Sequence, residues 1–430
     1  MDSLIEKASR LTDYADLKDF FLALKENGGN YDLQNVTLLS ERLERPEQKL
    51  KCIHVAGTNG KGSTCAMLES IFRENGYRTG LYTSPHLIRL SERIQVDRVP
   101  ITESRMLELT VEMAGKLGEI PESMWPSFFE WMTVMAFLHF VKEGVDIAII
   151  ETGMGGTKDA TNILTPELSV ITSISRDHEA MLGDTIEAIA EEKAGIIKPG
   201  RQVLIGKLPD EAEQVVCRRV NAVGSQLFKF DEDFPETNLE GAYQRHNAAL
   251  ALKASELLNE PFPVARQRAL LALERVAWRA RWESVSVNDG EHELILDCSH
   301  NEEAFESLEE QLKIMVELKG VSPLIVVGAT SQARAESLLR TVVPYTDQLF
   351  LVEFNHERAL TPETIREFLP KDFRGTVQEI RVDELFSYGR FRLEVKPGQA
   401  IVVTGSIYMT GEISDLLTSP KPFREYCLQD

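Results

Sequence analysis

The sequence predicts an α/β fold in two parts, each a mostly parallel sheet covered by helices. Short apolar runs, often β-branched, alternate along the chain with segments of helical period, and this alternation is typical of sheets joined by crossover helices. The same rhythm starts again near residue 284, which indicates a second sheet. Because 430 residues suffice for two or three domains, we expect a larger N-terminal domain over 1–283 and a smaller α/β domain over 284–430.

The apolar runs and helical periods predict specific elements. In the first half we expect strands over 51–56, 145–151, 168–175 and 201–206, and helices over 62–75, 124–141 and 243–258. In the second half we expect strands over 293–297, 324–328, 348–353 and 400–404. The polar stretch 284–291 contains Asn288-Asp289-Gly290 and is predicted to be a linker or a hairpin turn near the domain border.

Composition and charge exclude several classes of protein. Hydrophobic residues make up 43% and charged residues 27% of the chain, which is ordinary for a folded globular protein. The net charge is −21, and such a surface repels phosphate backbones, so we expect no general binding to nucleic acid. No apolar run is long enough for a membrane span and the first ten residues are not a secretory signal. Five scattered cysteines suit a reducing compartment, so we expect a cytoplasmic protein without disulfides.

The strongest motif is a glycine-rich loop between a predicted strand and a predicted helix, Gly57-Thr58-Asn59-Gly60-Lys61-Gly62-Ser63-Thr64. Backbone N–H groups of such a loop can surround phosphate oxygens, a lysine can reach the terminal phosphates and a serine can bind magnesium. The alternative is a strand-to-helix turn without chemistry, which the flanking elements make the weaker interpretation. In the commonest P-loop, Ser or Thr follows the lysine directly, whereas here Gly62 intervenes. That variant resembles the loop of ATP-dependent amide ligases in the Mur ligase superfamily.

Two predicted strands end in side chains that can bind a metal. Glu151 ends the apolar run 145–151 and precedes a glycine-rich stretch, while Asp177-His178 follows the strand over 168–175. Ligands of parallel sheets bind beyond the carboxyl ends of the strands, and magnesium prefers oxygen ligands and ATP phosphates. Taken singly, a solvent-exposed Glu151 and a structural His178 would each be the simpler reading. Lys193, near the end of a predicted helix, is either a favourable C-terminal cation or a catalytic group, and its position does not decide between them.

Taken together, these residues resemble the folylpolyglutamate synthase and dihydrofolate synthase family, within the Mur ligase superfamily. The resemblance covers nearly the whole chain and follows the same order in the sequence. Its most selective part is Thr83-Ser84-Pro85 followed by Glu92-Arg93-Ile94. Matching segments lie at 57–63, 80–87, 92–94, 129–130, 151–156, 159–162, 177–178, 192–198, 244, 247–249 and 404–406.

The resemblance implies a fold and an activity. The fold would be a P-loop-containing Mur-ligase-like N-terminal domain with a smaller Rossmann-like α/β C-terminal domain. The activity would be ATP-dependent addition of L-glutamate to a folate, and to dihydropteroate in some members, through an acyl phosphate. ATP would be a substrate, Mg²⁺ a cofactor, and a monovalent cation such as K⁺ a further candidate cofactor. Partners would be these small molecules only, and the protein would work as a monomer.

The resemblance also implies residue roles. Lys61, Lys193 and His178 would be catalytic, and Lys193 matches a lysine that is carbamylated in many relatives. The implied ATP-binding residues are Gly57, Thr58, Asn59, Gly60, Lys61, Gly62, Ser63, Thr64, Asn247, Arg281, Asp297 and His300. The implied metal ligands are Ser63, Ser84, Glu151 and His178. The implied folate-binding residues are Ser84, Pro85, Arg93 and Phe129, and the glutamate-binding residues are His300 and Ser406.

Three departures from the family pattern concern the joint between the domains. Relatives usually read Trp-Pro-Gly-Arg or Trp-Pro-Ala-Arg where this chain has Trp278-Arg279-Ala280-Arg281, and Leu-Asp-Gly-Ala-His-Asn where it has Leu296-Asp297-Cys298-Ser299-His300-Asn301. The stretch 228–239 is also short beside that of relatives. Two other functions stay open: a Mur-type ligase for another carboxylate, and a non-catalytic ATP-binding protein that uses closure as a switch. The residues do not decide whether dihydropteroate, reduced folates or both are used.

Overall fold

The computed structural model describes residues 4–27, 32–230, 234–423 and 428. Two sheets form the centre of the structure, and helices cover both faces of each sheet. The α/β class predicted from the sequence is confirmed. Within the described residues, no helix combines the length and apolar character needed to cross a membrane.

The helices are α1 (Leu4–Ser9), α2 (Tyr14–Asn27), α3 (Gln34–Arg42), α4 (Lys61–Glu74), α5 (Glu103–Leu117), α6 (Phe128–Lys142), α7 (Glu179–Leu182), α8 (Ile186–Ala194), α9 (Asp210–Val223), α10 (Ala242–Leu257), α11 (Arg266–Leu273), α12 (Glu302–Lys319), α13 (Gln332–Val342), α14 (Pro362–Arg366), α15 (Val382–Leu385) and α16 (Ile407–Thr418).

The first sheet has eight strands in the order β4-β3-β2-β5-β1-β6-β7-β8. Its strands are β1 (Cys52–Ala56), β2 (Thr79–Tyr82), β3 (Ile94–Val96), β4 (Val99–Pro100), β5 (Ile147–Glu151), β6 (Leu168–Ile171), β7 (Gln202–Ile205) and β8 (Gln226–Lys229). The six strands from β2 to β8 in that order run parallel, and β3 and β4 extend one edge antiparallel. Successive residues of β5 face opposite cores: Ile149 packs with α4, α10 and α11, and Ile150 packs with α2, α3, α5 and α6.

The second sheet has six strands in the order β13-β12-β11-β16-β10-β9. Its strands are β9 (Glu283–Val287), β10 (His292–Leu296), β11 (Leu324–Val327), β12 (Gln348–Glu353), β13 (Thr376–Arg381) and β16 (Ile401–Thr404), and β14 (Phe386–Ser387) and β15 (Arg390–Phe391) form a separate ribbon. Only β9, at one edge of this described sheet, pairs antiparallel. Helices α12 and α13 pack on one face, and α15 and α16 pack on the other.

The predicted buried strands are confirmed, with one shortened for a clear reason. The run over 168–175 forms a strand only to Ile171, because the next residues hydrogen-bond to the glycine-rich loop rather than to a neighbouring strand. Ser173 O accepts from Thr58 N at 2.9 Å, and Ser175 O accepts from Thr58 Oγ1 at 3.2 Å. The edge strands β4, β8, β9 and β13 were not predicted, and neither were the internal strands β2 and β3.

The helix predicted over 124–141 begins later, at Phe128. Ser127 caps it: the Ser127 hydroxyl accepts from Glu130 N at 3.3 Å, and the Glu130 carboxylate accepts from Ser127 N at 2.7 Å. This reciprocal pair satisfies the first helical N–H groups and fixes the start of the helix. The polar stretch 284–291 is a hairpin, with β9 and β10 joined by the turn Asn288–Gly290.

The linker before the second sheet is bound to that sheet. Trp282 N donates to Asp297 Oδ2 at 3.1 Å and Cys298 N donates to Ala280 O at 3.2 Å. The Glu283 carboxylate also accepts from Ala280 N at 2.8 Å. The division between residues 283 and 284 therefore falls inside a bonded unit. We propose that the second domain begins a few residues before that division, at about Ala280.

Ala280 adopts a left-handed backbone, with φ of 57°, at a position where relatives often have glycine. A residue with a Cβ pays about 1–2 kcal/mol for this conformation, while glycine loses roughly 0.5–1 kcal/mol more entropy on folding. We expect Ala280→Gly to leave the free energy of unfolding within about 0.5 kcal/mol of the parent, because relief of the strain offsets both this entropy and the loss of a buried methyl group, worth about 0.8 kcal/mol. Urea denaturation followed by circular dichroism measures this change.

Ala277→Gly is the matched control, because Ala277 is exposed and has no positive φ. There the entropy term acts alone, so stability falls by about 0.5–1 kcal/mol. Equal destabilisation by the two substitutions would show that the backbone of Ala280 is not strained.

Candidate active site

The carboxyl ends of four adjacent strands carry the polar residues of the site. In the order β2-β5-β1-β6, these ends lead to Ser84, Glu151, the glycine-rich loop and His178. Parallel strands present their carboxyl ends at one edge of a sheet, where α/β proteins bind ligands. The sheet order therefore brings together four segments whose residues lie up to 121 positions apart in the sequence, from Gly57 to His178.

Three side chains pack against the glycines of the loop. A Cβ on Gly57 would lie 1.9 Å from Thr172 Oγ1, one on Gly60 would lie 2.4 Å from Asn247 Oδ1, and one on Gly62 would lie 2.6 Å from Trp278. Gly60 also has φ of 82°, which side chains other than glycine's rarely adopt. Any larger residue at these three positions would displace the loop, so the glycines are required by packing as well as by backbone approach to phosphate.

The loop leads directly into α4, whose first residue is Lys61. The ammonium of Lys61 lies over the loop and donates to Gly57 O at 3.0 Å and to Thr58 O at 3.1 Å. Ser63 lies in the first turn of α4, where the helix N-terminus favours negative charge. Lysine, helix N-terminus and loop N–H groups together form a site suited to the phosphates of a nucleotide.

Glu151 lies at the end of β5 and is 4% exposed. Burial raises its pKa to about 7, and Lys61 opposes that rise. The carboxylate accepts from Ser84 N at 3.2 Å, which brings β5 and the loop after β2 together. A buried carboxylate in the same cavity as Ser63 and Ser84 suits a hard divalent cation such as Mg²⁺. Among the residues that the structure describes there is no group of three His, Cys, Asp or Glu side chains that could hold a metal ion.

His178 follows β6 and starts α7. Its pKa is lowered, first by burial and then by Arg334, so the ring is neutral at pH 7 and can act as a ligand. The neighbouring Asp177 accepts from Arg334 at 3.1 Å and from Asn301 at 3.3 Å. Burial acts to raise the pKa of Asp177, but His178, His300 and Arg334 together lower it. Asp177 therefore stays ionised and connects the end of β6 to the second domain.

Lys193 is buried in the last turn of α8, and its side chain reaches the glycine-rich loop. It is 4% exposed, and its Nζ donates to Gly57 O at 2.7 Å. Burial, and to a smaller extent Lys61, lower its pKa to about 7. A lysine in this state is largely neutral slightly above pH 7, so its amine is available as a nucleophile.

The second domain contributes its own polar residues at the ends of β10 and β16. Asp297 accepts from Trp282 N at 3.1 Å and from Ser299 N at 2.9 Å, and His300 Nδ1 bonds to Cys298 O at 2.9 Å. Ser406 caps α16, is 2% exposed, and its hydroxyl has no hydrogen-bond partner among the described residues. A buried, unpartnered hydroxyl beside a cavity indicates a place for a polar ligand.

Both domains line one cavity of about 1090 Å³. It contains most of the residues that the sequence singled out. Those in its wall are Gly57, Thr58, Asn59, Gly60, Lys61, Gly62, Ser63, Ser84, Pro85, Phe129, Glu151, His178, Lys193, Asn247, Arg281, Asp297, His300 and Ser406. Two are outside the wall, Thr64 and Arg93. The side chain of Thr64 is fully buried, so Thr64 contributes only its main chain to the helix start that faces the cavity.

Arg93 does not occupy the place expected of a folate-binding residue. It is fully buried, and its guanidinium donates to His86 Nδ1 at 3.1 Å and to Leu428 O at 3.4 Å. It also lies 5.2 Å from the ring of Phe128. Because these contacts hold the charged group inside the first domain, Arg93 supports the loop after β2 from behind and does not reach the cavity.

Several residues of the cavity were not predicted from the sequence. They include Glu303 and Arg334 of the second domain and Tyr243 at the start of α10. For Glu303 a weak signal exists: His300-Asn301-Glu302-Glu303 reads as an N-cap followed by acidic residues, a helix start beside a family motif. For Arg334 the sequence carries no signal, because its partner Asp177 is 157 residues away. The departures at Cys298 and Ser299 are accommodated, with Cys298 2% exposed in the core.

Comparisons with known proteins agree with this geometry. The family model for the Mur ligase middle domain matches residues 55–249, and that for the dihydrofolate synthetase C-terminal domain matches residues 281–417. A dihydrofolate synthase/folylpolyglutamate synthase of Bacillus subtilis is 33% identical over 94% of this chain and 98% of its own length. Both domains are therefore matched in the expected order.

Solved structures show the same architecture. Folylpolyglutamate synthase of Thermotoga maritima superposes with a TM-score of 0.83 at 29% identity, over 96% of this chain and 98% of that one. FolC of E. coli, in complex with DHPP and ADP, superposes with a TM-score of 0.81 at 25% identity, over 94% of this chain and 97% of that one. With a third of its residues shared over nearly its whole length with one relative and the same two-domain fold as the others, this chain belongs to the dihydrofolate synthase/folylpolyglutamate synthase family.

Proposed function

We propose that this protein is an ATP-dependent ligase that joins L-glutamate to the carboxylate of a folate. The observation that carries the proposal is the single cavity in which the phosphate loop, Glu151 and the polar residues of the second domain meet. ATP would phosphorylate the folate carboxylate, and the amine of glutamate would then displace phosphate to form the amide. The products are the extended folate, ADP and phosphate, so no covalent intermediate with the enzyme is required.

The first half-reaction belongs to the first domain. The loop N–H groups and Lys61 hold the β- and γ-phosphates and offset the charge that develops during phosphoryl transfer. Ser63, Ser84, Glu151 and His178 would hold Mg²⁺, which neutralises phosphate charge and orients the transferring group. Phe129 lies at the cavity wall, 6.2 Å from the ring of Tyr82, and offers an apolar face to a pterin. Catalysis then rests on positioning and electrostatics.

The second half-reaction needs the second domain. His300 and Ser406 lie in the same cavity as the loop, and we propose that they hold the incoming glutamate. The unpartnered Ser406 hydroxyl suits a carboxylate of that substrate. We propose that the protein works as a monomer, because its own two domains bring the phosphate loop and these residues into one cavity.

The acceptor is proposed to be tetrahydrofolate, with dihydropteroate as a second acceptor. The B. subtilis relative carries both activities in its name, and the E. coli relative was solved with DHPP and ADP. A Mur-type ligase for another carboxylate would ignore both acceptors, and a non-catalytic ATP-binding protein would release no ADP in response to them. Measuring ADP release with each acceptor therefore distinguishes these alternatives.

ADP release tests the proposed function. The purified protein, ATP, Mg²⁺ and L-glutamate are combined with tetrahydrofolate or with dihydropteroate, and we expect ADP release that depends on both glutamate and acceptor. Lys61→Ala should lose at least about a hundredfold in kcat while keeping the circular dichroism spectrum of the parent, because the ammonium stabilises the transferring phosphoryl group. No acceptor-dependent ADP from the parent, or near-normal turnover by Lys61→Ala, would contradict the assignment.

The metal assignment is tested by magnesium titration of activity. Glu151→Gln and His178→Ala should each shift the half-maximal Mg²⁺ concentration upward by about tenfold or more, because each removes a proposed ligand or its charge. Glu306→Gln is the matched control, since Glu306 lines the same cavity and loses the same charge but is exposed. If all three variants give the parental titration, Glu151 and His178 are not ligands.

Lys193 is proposed to be carbamylated in the active enzyme. Its pKa of about 7 means that the neutral, CO₂-reactive amine increases as pH rises through 7, and carbamylation replaces a buried cation by an anion beside the metal ligands. Lys193→Ala should be nearly inactive, and short carboxylic acids such as formate should restore part of the activity by filling the vacated place. Full activity of Lys193→Ala, or an unmodified mass for this lysine in active enzyme kept under CO₂, would favour a simple helix C-terminal cation instead.

A further inference from the structure

The second domain touches the phosphate loop through two side chains at the start of α12. Asn301 is the N-cap of this helix, and its Oδ1 accepts from Ala304 N at 3.0 Å. Its amide faces the amide of Asn59: Asn59 Nδ2 donates to Asn301 Oδ1 at 3.1 Å, and Asn301 Nδ2 donates to Asn59 Oδ1 at 3.0 Å. The two asparagines therefore form a reciprocal pair across the domain boundary, oriented by the helix cap.

Glu303 adds a charged acceptor to the same contact. Its Oε2 accepts from Asn59 Nδ2 at 2.6 Å, from Ser175 Oγ at 2.7 Å and from Ser173 Oγ at 3.4 Å. Hydrogen bonds to an ionised acceptor are stronger than those between neutral groups. One carboxylate of the second domain thus binds both the loop and the segment after β6, the two parts of the first domain that lie side by side in the site.

Asn59 is held by both domains at once. Its main chain is fixed by the first domain, because Asn59 N donates to Ser173 Oγ at 3.0 Å and Asn59 O accepts from Thr172 Oγ1 at 2.6 Å. Its side chain makes its described hydrogen bonds with Asn301 and Glu303 of the second domain. A movement of the second domain would therefore break the side-chain bonds of Asn59 and leave its main-chain bonds intact.

We propose that Asn59, Asn301 and Glu303 form a latch that seats the second domain against the phosphate loop. Glu303 and Asn301 act as positioning residues, since they act through Asn59. The inference rests on the proposed function, in which an amine brought by the second domain attacks a group formed on the first. The latch therefore sets the distance between the amine bound by the second domain and the activated carboxylate on the first domain. It contributes little to holding phosphates, because Lys61 and the loop N–H groups belong to the first domain.

A different role for Glu303 would be to receive the ammonium group of the incoming glutamate. Three hydrogen-bond donors already converge on Glu303 Oε2, which favours the latch. The two roles differ in kinetics. If Glu303 binds the ammonium group of glutamate, its removal raises the KM for glutamate. If Glu303 belongs to the latch, its removal lowers kcat and leaves the affinity for nucleotide nearly unchanged.

The test compares Glu303→Ala and Asn301→Ala with the parent enzyme. We expect kcat to fall by about tenfold or more in each, because a hydrogen bond to a charged or buried partner is lost. The dissociation constant for Mg-ADP, measured by calorimetry, should stay within about threefold, since the phosphate-binding groups are untouched. Glu303→Gln keeps an oxygen that accepts hydrogen bonds and should recover most of kcat.

Glu302→Ala is the matched control. Glu302 lies beside Glu303 in the first turn of α12 and shares its favourable interaction with the helix N-terminus, but it is exposed. It should keep parental kcat. The double variant Asn59→Ala/Glu303→Ala should be no worse than the more severe single variant, because both break one contact. A raised KM for glutamate with unchanged kcat, or additive losses in the double variant, would overturn the latch.

Small-angle X-ray scattering separates this inference from the proposed function. Without substrates, Glu303→Ala/Arg334→Ala should have a larger radius of gyration than the parent and Glu302→Ala/Arg334→Ala, because Glu303 and Arg334 both bind the second domain to the first. This result supports the latch even if no ligase activity is found with folates. Identical scattering curves for the three proteins, with identical kcat where activity is measurable, would show that the contact does not hold the domains together.

Discussion

Phosphate binding requires the main chain of residues 57–63 to approach an anion closely, and the rest of the structure depends on holding that loop in one conformation. Three of its glycines have no room for a Cβ, because Thr172, Asn247 and Trp278 pack against them. These three side chains come from the segment after β6, from α10 and from the linker to the second domain. The loop is thus held by contacts with the end of the sheet, with helix α10 and with the linker between the domains.

Burial gives the site its electrostatic character. The protein has a net charge of −21, and its cavity wall combines basic residues such as Lys61 and Arg281 with acidic residues such as Glu151. Burial raises the pKa of Glu151 to about 7 and lowers that of Lys193 to about 7. Each group is therefore costly to ionise without a partner. Binding of phosphates and a cation would compensate these costs, which couples substrate binding to the ionisation of the site.

The joint between the domains is fastened by hydrogen bonds to Asp297. Asp297, implied by the resemblance to bind nucleotide, here accepts from Trp282 N and Ser299 N, so it also fastens the linker to the second sheet. The latch formed by Asn59, Asn301 and Glu303 joins the phosphate loop to the start of α12. Linker and latch together determine how closely the second domain approaches the phosphate loop, and that approach decides whether an amine can reach an activated carboxylate.

The sequence by itself determined the α/β class, the buried parallel strands and the chemistry of the phosphate loop, because these depend on local patterns: apolar runs, a strand–glycine–helix motif and carboxylates at strand ends. It did not reveal β2, which has Thr79 and Gly80 at its start, or edge strands such as β13, whose residues are largely exposed. Only the tertiary structure decided that Arg93 is buried against Leu428 and that Glu303 reaches Asn59. Those contacts join residues more than 240 positions apart, and no local pattern encodes which distant side chain will fill a given space.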